Sequence, residues 1–275
     1  MNQLHNYWLT LAKLFTAWSA LTDRLEAGWY RLGRWLVDVF KHLLFRMDVH
    51  YLADLPNGAR ILAANHPSTI DPFLMTTLVP EQVSILITEI LFKVPIVGAS
   101  LRRTGHIRVD AGKGGTAMLS ALQKLAEGRT VGIFPEGVIS PITGGMHRAH
   151  SGLARLALAS GKPVIPVGIA IEKDKITRIR TRVDGIEEIG TWYFQGGYAV
   201  TLGEPLTFSG DAEDRQQVAR VSEQLVSAIE ALSAVSAARL AARRRRLLSV
   251  IIRPWSIPIG YLARLIPGYI PLSDI

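Results

Sequence analysis

A histidine and an aspartate five residues apart, His66 and Asp71 in Asn65-His66-Pro67-Ser68-Thr69-Ile70-Asp71-Pro72, carry the makings of an acid–base pair. On a straight helix they would stand about 140° apart by the 3.6-residue period and could not touch. Pro67 disfavours helix at His66, while Asp71 followed by Pro72 suits an N-cap with proline at the first helical position. The segment therefore predicts a loop at His66 that curls back onto a helix start at Asp71. In that geometry the carboxylate accepts the Nδ1 proton, fixes the tautomer and leaves Nε2 free as a general base. The spacing alone is common by chance, so its meaning depends on what accompanies it.

Two further segments accompany it. Phe134-Pro135-Glu136-Gly137 closes an expected strand, Thr130 to Phe134, with an acid and a glycine at the carboxyl end, where open α/β sheets place ligand contacts. Val164-Ile165-Pro166-Val167-Gly168 is an apolar run that reads, on its own, as a buried strand. Other chemistries are excluded by residue type. The chain has no cysteine, so neither a disulfide nor an acyl-cysteine intermediate is available. It contains no G-x-S-x-G elbow, Walker lysine loop or H-E-x-x-H pair. His147 and His150, three apart on an expected helix, lack a third ligand, so no metal site is expected.

The elements that must position these residues follow from periodicity. Strands are expected at Ala59 to Ala64, Val83 to Ile87, Thr130 to Phe134, Val164 to Ile171 and Tyr198 to Leu202. Helices are expected between them at Asp71 to Val79, Gly114 to Glu127 and His147 to Ala159, an alternation that implies an α/β domain with a mainly parallel sheet. Upstream, Leu4, Trp8, Leu11, Phe15, Trp18, Leu25, Trp29, Leu32, Leu36, Phe40 and Leu43 recur in steps of three and four around a break at Thr22. They predict two amphipathic helices. The tryptophans, flanked by Arg24, Arg31, Arg34, Lys41 and Arg46, suit a headgroup boundary, so residues 1–50 are expected to be an interfacial anchor ahead of an α/β domain over 51–210. Residues 211–275 are expected to form a helix from about Glu213 to Arg243 and a basic, apolar tail broken by Pro254, Pro258, Pro267 and Pro271.

The charge balance, 31 Lys and Arg against 23 Asp and Glu, gives +8 and favours anionic surfaces. Much of the surplus lies in Arg239, Arg243 to Arg246, Arg253 and Arg264, beside Trp255, Tyr261 and Tyr269. That mixture points to an anionic membrane surface rather than to nucleic acid, for which no groove-reading helix or aromatic sheet is evident. No run of 18 or more uncharged apolar residues is present, and the N-terminus does not read as a cleavable signal peptide. A peripheral, monotopic association with the cytoplasmic face of a membrane is the resulting expectation.

Taken together and in order, these segments resemble the glycerolipid acyltransferase family that includes 1-acylglycerol-3-phosphate acyltransferases. Asn65-His66-Pro67-Ser68 through Asp71-Pro72 is similar to its first block, and Gly105 with Ile107, Val109 and Asp110 to its second. Phe134-Pro135-Glu136-Gly137 fits the third block and Val164-Ile165-Pro166-Val167 the fourth, while Leu91 to Gly98 looks like the helix before the second. The resemblance implies transfer of an acyl group from acyl-CoA or acyl carrier protein to a hydroxyl of a lysolipid, without metal or cofactor. It implies that His66 is the base, Asp71 its partner and a backbone N–H the oxyanion donor. It further implies that Asn65, Ser68, Gly105, Arg108, Phe134, Pro135, Glu136 and Gly137 line the substrate site.

Three departures bear on the acceptor. Thr88, Ala111 and Ile139 stand where the family carries a lysine and two arginines for the acceptor's phosphate. Either Arg102, Arg103, Arg108, Arg148 or Arg155 substitutes from a new position, or the acceptor is a lipid or glycolipid without a phosphate. A non-catalytic membrane-binding member of the fold, or a thioester hydrolase, is the remaining alternative.

Overall fold

The computed structural model describes residues 24–183 and 186–252. The first expected N-terminal helix and the proline-punctuated tail lie outside the described residues. A seven-stranded sheet with strand order β1-β9-β6-β2-β5-β3-β4 forms the middle layer. Its strands are β1 (Phe45–Tyr51), β2 (Ile61–Ala64), β3 (Val83–Thr88), β4 (Ile107–Val109), β5 (Thr130–Ile133), β6 (Val164–Ile171) and β9 (Gly196–Leu202). Five run parallel, from β6 to β4, whereas β9 is antiparallel to β6 and carries β1 parallel to itself at the edge.

Both faces of the sheet are covered, which is why β2, β5 and β6 are buried along their whole length and read as apolar runs rather than alternations. Ile61, Ala63, Val131 and Ile133 point to one face, against α5 (Gly114–Ala126), α6 (Gly152–Ser160) and α7 (Arg215–Ile252). Leu62, Ala64, Val83 and Ile85 point to the other. There they meet α2 (Asp71–Met75), α4 (Val97–Arg103), α1 (24–44) and a hairpin, β7 (Ile176–Val183) with β8 (Ile186–Tyr193). The short α3 (Glu89–Lys93) precedes α4.

Several boundaries differ from expectation for identifiable reasons. The helical stripe stops at residue 44 and Phe45–Tyr51 is β1, paired with β9, so the N-terminal helical segment does not reach residue 50. Helix α2 ends at Met75, where the Thr76 and Thr77 hydroxyls donate back to the carbonyls of Phe73 and Leu74, at 2.6 and 2.8 Å. Helix α6 starts at Gly152 instead of His147, because the backbone N–H groups of His147 and His150 donate to Glu136 and Pro135. The hairpin β7–β8 was not anticipated.

Helix α7 has the length and composition to cross a bilayer, yet Leu225, Ile229 and Leu232 are buried. It lies tightly against the sheet at Gly168, where an added Cβ would lie 2.0 Å from the carbonyl carbon of Leu232. Only glycine lets the helix backbone rest on β6 there. Farther along, Ser236 Oγ donates to the Gly168 carbonyl at 2.8 Å and Arg239 pairs with Asp48 of β1 at 2.8 Å. On the opposite face, Tyr30 of α1 is buried and its hydroxyl accepts the Val83 N–H at 3.0 Å. Arg34 donates to the carbonyls of Val79 and Pro80.

Candidate active site

The site is built at the carboxyl ends of β2, β5 and β6. Pairing of β2 with β6 ends at Ala64 and Val167, and Asn65 then continues it with its side chain. The amide Nδ2 donates to the Ile169 carbonyl at 2.9 Å, and Oδ1 accepts the Ile169 N–H at 2.7 Å. Asn65 thus substitutes for a ladder pair and fixes the direction in which the chain leaves the sheet.

His66 follows. Its N–H donates to Ser140 Oγ at 2.8 Å and to Glu136 Oε1 at 3.2 Å, and its carbonyl accepts from the Ser140 N–H at 2.8 Å. The imidazole stacks on Phe134 with ring centroids 4.2 Å apart, so the strand before the Glu136 turn supplies the ring's platform. Nδ1 lies 2.9 Å from Asp71 Oδ2. The His66 side chain is 15% exposed and that of Asp71 is 0% exposed, so the imidazole reaches the surface while its partner is sealed from water.

The loop closes as a tight turn. The Asp71 N–H donates to the Ser68 carbonyl at 3.0 Å, and the Ser68 N–H donates back to Asp71 Oδ2 at 2.8 Å. Asp71 is the first helical residue and Ile70 occupies the cap, one position earlier than expected. The carboxylate therefore reaches backward over the helix N-terminus, where the backbone dipoles favour negative charge. Its second oxygen, Oδ1, accepts from Tyr198 Oη at 2.8 Å. Burial, with the Asp71 charge adding to it, holds the Tyr198 phenol well above its usual range, so it remains a donor. The hairpin locks the loop from outside, with Ser68 Oγ and the Thr69 N–H both donating to the Thr191 carbonyl, at 3.1 and 2.8 Å.

Glu136 is 1% exposed. Its Oε1 accepts from Ser140 Oγ at 2.5 Å as well as from the His66 N–H, and its Oε2 accepts the His147 N–H at 2.7 Å. The resemblance made it a substrate contact. In the structure three donors of the protein itself engage it, and it joins the His66 loop to the His147 segment. Gly137 turns the chain at φ +67°, and a Cβ there would meet the His150 ring at 3.1 Å. Pro135 accepts the His150 N–H at 2.8 Å.

Asn65, His66, Ser68, Asp71, Phe134, Pro135, Glu136 and Gly137 are thus brought together. Gly105 and Arg108 are not. Gly105 precedes β4 at the amino end of the strands, within reach of Glu26, Gln82 and Arg129 side chains. Arg108 lies on β4, three strands from β2, and pairs with Asp110 at 2.6 Å. Three of the other arginines are also committed. Arg102 donates to the Phe92 carbonyl, Arg103 lies over the Trp29 ring and Arg155 pairs with Glu213. Arg148, exposed between His147 and His150, is the one of the five without a partner among the described residues. Tyr198 and Ser140 complete the site and were not singled out. Tyr198 read only as a strand residue, and Ser140 only as the residue that follows Ile139 after the Phe134 to Gly137 segment.

The chain has relatives among known proteins. A family model described as Acyltransferase matches residues 46–170. The chain is similar to the 1-acyl-sn-glycerol-3-phosphate acyltransferase of Pseudomonas aeruginosa, with 29% identity over 144 residues, 51% of this chain and 54% of that one. It is similar to the protein of the same description from Borreliella burgdorferi, with 31% identity over 111 residues, 39% of this chain and 44% of that one. The chain thus spans about half the length of the curated relatives it matches. Among solved structures, the 1-acyl-sn-glycerophosphate (LPA) acyltransferase PlsC from Thermotoga maritima superposes with a TM-score of 0.50 at 22% identity. The match covers 80% of this chain and 88% of that one, a likeness of fold.

Proposed function

We propose, from the premise that this chain belongs to the acyltransferase family through residues 46–170, that it moves a fatty acyl group from a thioester donor to a lysolipid hydroxyl. The donor is acyl-CoA or acyl carrier protein. The observation that carries the reading is the His66 Nδ1 contact with Asp71 at 2.9 Å, which leaves Nε2 on a partly exposed edge without a protein partner among the described residues. Nε2 takes the proton of the acceptor hydroxyl as that oxygen attacks the thioester carbonyl. Asp71 holds the imidazolium, and the proton then passes to the departing thiolate. A thioester is already activated, so one positioned base is a sufficient device.

The described half of the N-terminal segment supports a bilayer as the place of reaction. Along α1, Leu25, Leu32, Trp35, Leu36 and Leu43 are 48% to 77% exposed, an unpaired apolar stripe accompanied by Arg24, Arg31 and Lys41. Helix α1 runs into β1, which is antiparallel to β6, so the α1–β1 junction lies at the same end of the sheet as His66. An anionic cytoplasmic leaflet that receives this stripe would present lipid substrates to the catalytic end.

A second reading of the acceptor is favoured by Thr88, Ala111 and Ile139, which place no cation where a phosphate is expected, and makes the acceptor a lipid or glycolipid without a phosphate. Both are tested by supplying a labelled acyl thioester with lysophosphatidate, uncharged lysolipids and glycolipids, and following ester formation. Loss of the base costs about 10² to 10⁴-fold in rate, so His66→Ala should leave little product. Equal product from both proteins refutes His66 as the base, and no ester from either with any acceptor leaves a non-catalytic membrane protein. Free fatty acid without ester identifies a hydrolase.

A further inference from the structure

Tyr198 lies outside the stretch that the family model matches, yet its phenol is the only group among the described residues that satisfies Asp71 Oδ1. It belongs to β9, in register with Ile171 of β6 on one side and Met47 of β1 on the other. Its ring is 1% exposed and meets Phe45 edge-on, with centroids 6.1 Å apart. The two reversed strands at the sheet edge thus place a donor beneath the catalytic loop that the parallel part of the sheet does not supply.

We infer that Tyr198 is a positioning residue for the catalytic pair, and that its hydrogen bond to Asp71 sets how strongly Asp71 holds a proton on His66. This rests on the reading of His66 as the base. Asp71 has two oxygens and no access to water. Oδ2 is divided between His66 Nδ1 at 2.9 Å and the Ser68 N–H at 2.8 Å, while Oδ1 has the phenol. The Tyr198 bond fixes the plane of the carboxylate, which aims Oδ2 at the imidazole. It also disperses the negative charge that would otherwise be concentrated on His66. A buried carboxylate deprived of one donor attracts its remaining proton partner more strongly. The other titratable groups that face the pair are few. Glu136 meets the His66 backbone, with His147 and His150 beyond it, and Tyr193 of β8 stacks on Phe45 and donates to the Gly197 carbonyl beside Glu172. None of these contacts either oxygen of Asp71, so the phenol is the adjustable element.

The consequence has a definite sign. Tyr198→Phe keeps the ring and its packing but removes the donor, which favours the imidazolium. The acid limb of the pH–rate profile should move to higher pH by about half to one unit, with KM for both substrates unchanged. Site-specific 3-fluorotyrosine at position 198, a stronger donor of nearly the same shape, should move the limb to lower pH, and it remains informative if Tyr198→Phe fails to fold. The same titration read directly, by nitrogen NMR of the histidine rings in the full chain, should shift by the same amounts without any turnover. A uniform loss of rate with an unmoved limb would reduce Tyr198 to a structural residue and overturn the inference, as would an unmoved NMR titration. If His66→Ala retains activity while the NMR titration responds to Tyr198, the base reading has failed and the coupling stands.

Discussion

Glu136→Gln separates a strut from a substrate contact. The carboxylate accepts three hydrogen bonds, from the His66 N–H, Ser140 Oγ and the His147 N–H, and is 1% exposed. Glutamine keeps one acceptor oxygen and sets an NH2 in place of the other. With that oxygen retained toward His66 and Ser140, the NH2 confronts the His147 N–H, donor against donor. In the opposite orientation it confronts the His66 N–H, although the Ser140 hydroxyl can turn and accept. Either way at least one hydrogen bond to an ionised acceptor is lost, a cost of about 1.5 to 3 kcal/mol that the relief of burying a charge partly offsets. A net destabilisation of about 1 to 3 kcal/mol is expected in urea unfolding.

Catalysis should suffer through position rather than affinity. Glu136 and Ser140 together hold the backbone of the residue proposed as the base, and displacement of a catalytic group by about 1 Å can cost 10²-fold in rate. The expected outcome is a kcat lowered by about 10 to 100-fold while KM for the lysolipid and for the thioester stays within about twofold. A raised KM for the lysolipid, with kcat and unfolding free energy intact, would refute the reasoning and make Glu136 a contact of the acceptor.

Two further predictions follow from exposed and buried ends of the same fold. Replacing Trp35, Leu36 and Leu43 by glutamate should release the protein from sedimenting anionic vesicles without altering its unfolding, since all three side chains are exposed; unchanged sedimentation would remove α1 from the membrane contact. His106, whose Nδ1 accepts the Ile85 N–H at 3.2 Å, is pushed down by burial from 6.5 to about 4. The unfolded chain therefore takes up this proton first. Stability that is intact above pH 6.5 should decline as the pH falls toward 4, by up to about 3 kcal/mol, and His106→Asn should flatten that slope in urea titrations at successive pH values.

What could be read from the sequence was local, and what could not was tertiary. Pro67 and Asp71-Pro72 encode a bend by backbone restriction alone, so the His66–Asp71 contact was legible before any fold was known. The apolar runs of β2, β5 and β6 were legible because strands covered on both faces lose their alternation. Tyr198 was not, since a phenol that reaches Asp71 across 127 positions leaves no trace in its neighbours. Phe45–Tyr51 continues a basic, apolar texture from α1 and was read with it, because only pairing with β9 separates strand from helix there. Gly105 and Arg108 stand in the right order along the chain, but order does not fix distance: β4 is the far edge of the sheet.

The acceptor is narrowed by which cations are already occupied. Arg102 and Arg103 are bound within the α3–α4 corner and to α1, Arg108 to Asp110, and Arg155 to the start of the α7 segment. Each of these already holds a contact on this chain. Arg148 holds none among the described residues, and it sits between His147, whose N–H is fixed by Glu136, and His150, whose ring lies against Gly137. Glu136, which holds the His66 backbone, therefore also holds the segment bearing Arg148, the one of these five arginines without a partner among the described residues. A charge-assisted contact from that arginine is worth about 1.5 to 3 kcal/mol, so a single replacement for three expected cations would recognise a phosphate weakly. Under the proposed reaction, an acceptor whose affinity comes mainly from its apolar part is the one that this distribution of charge suits.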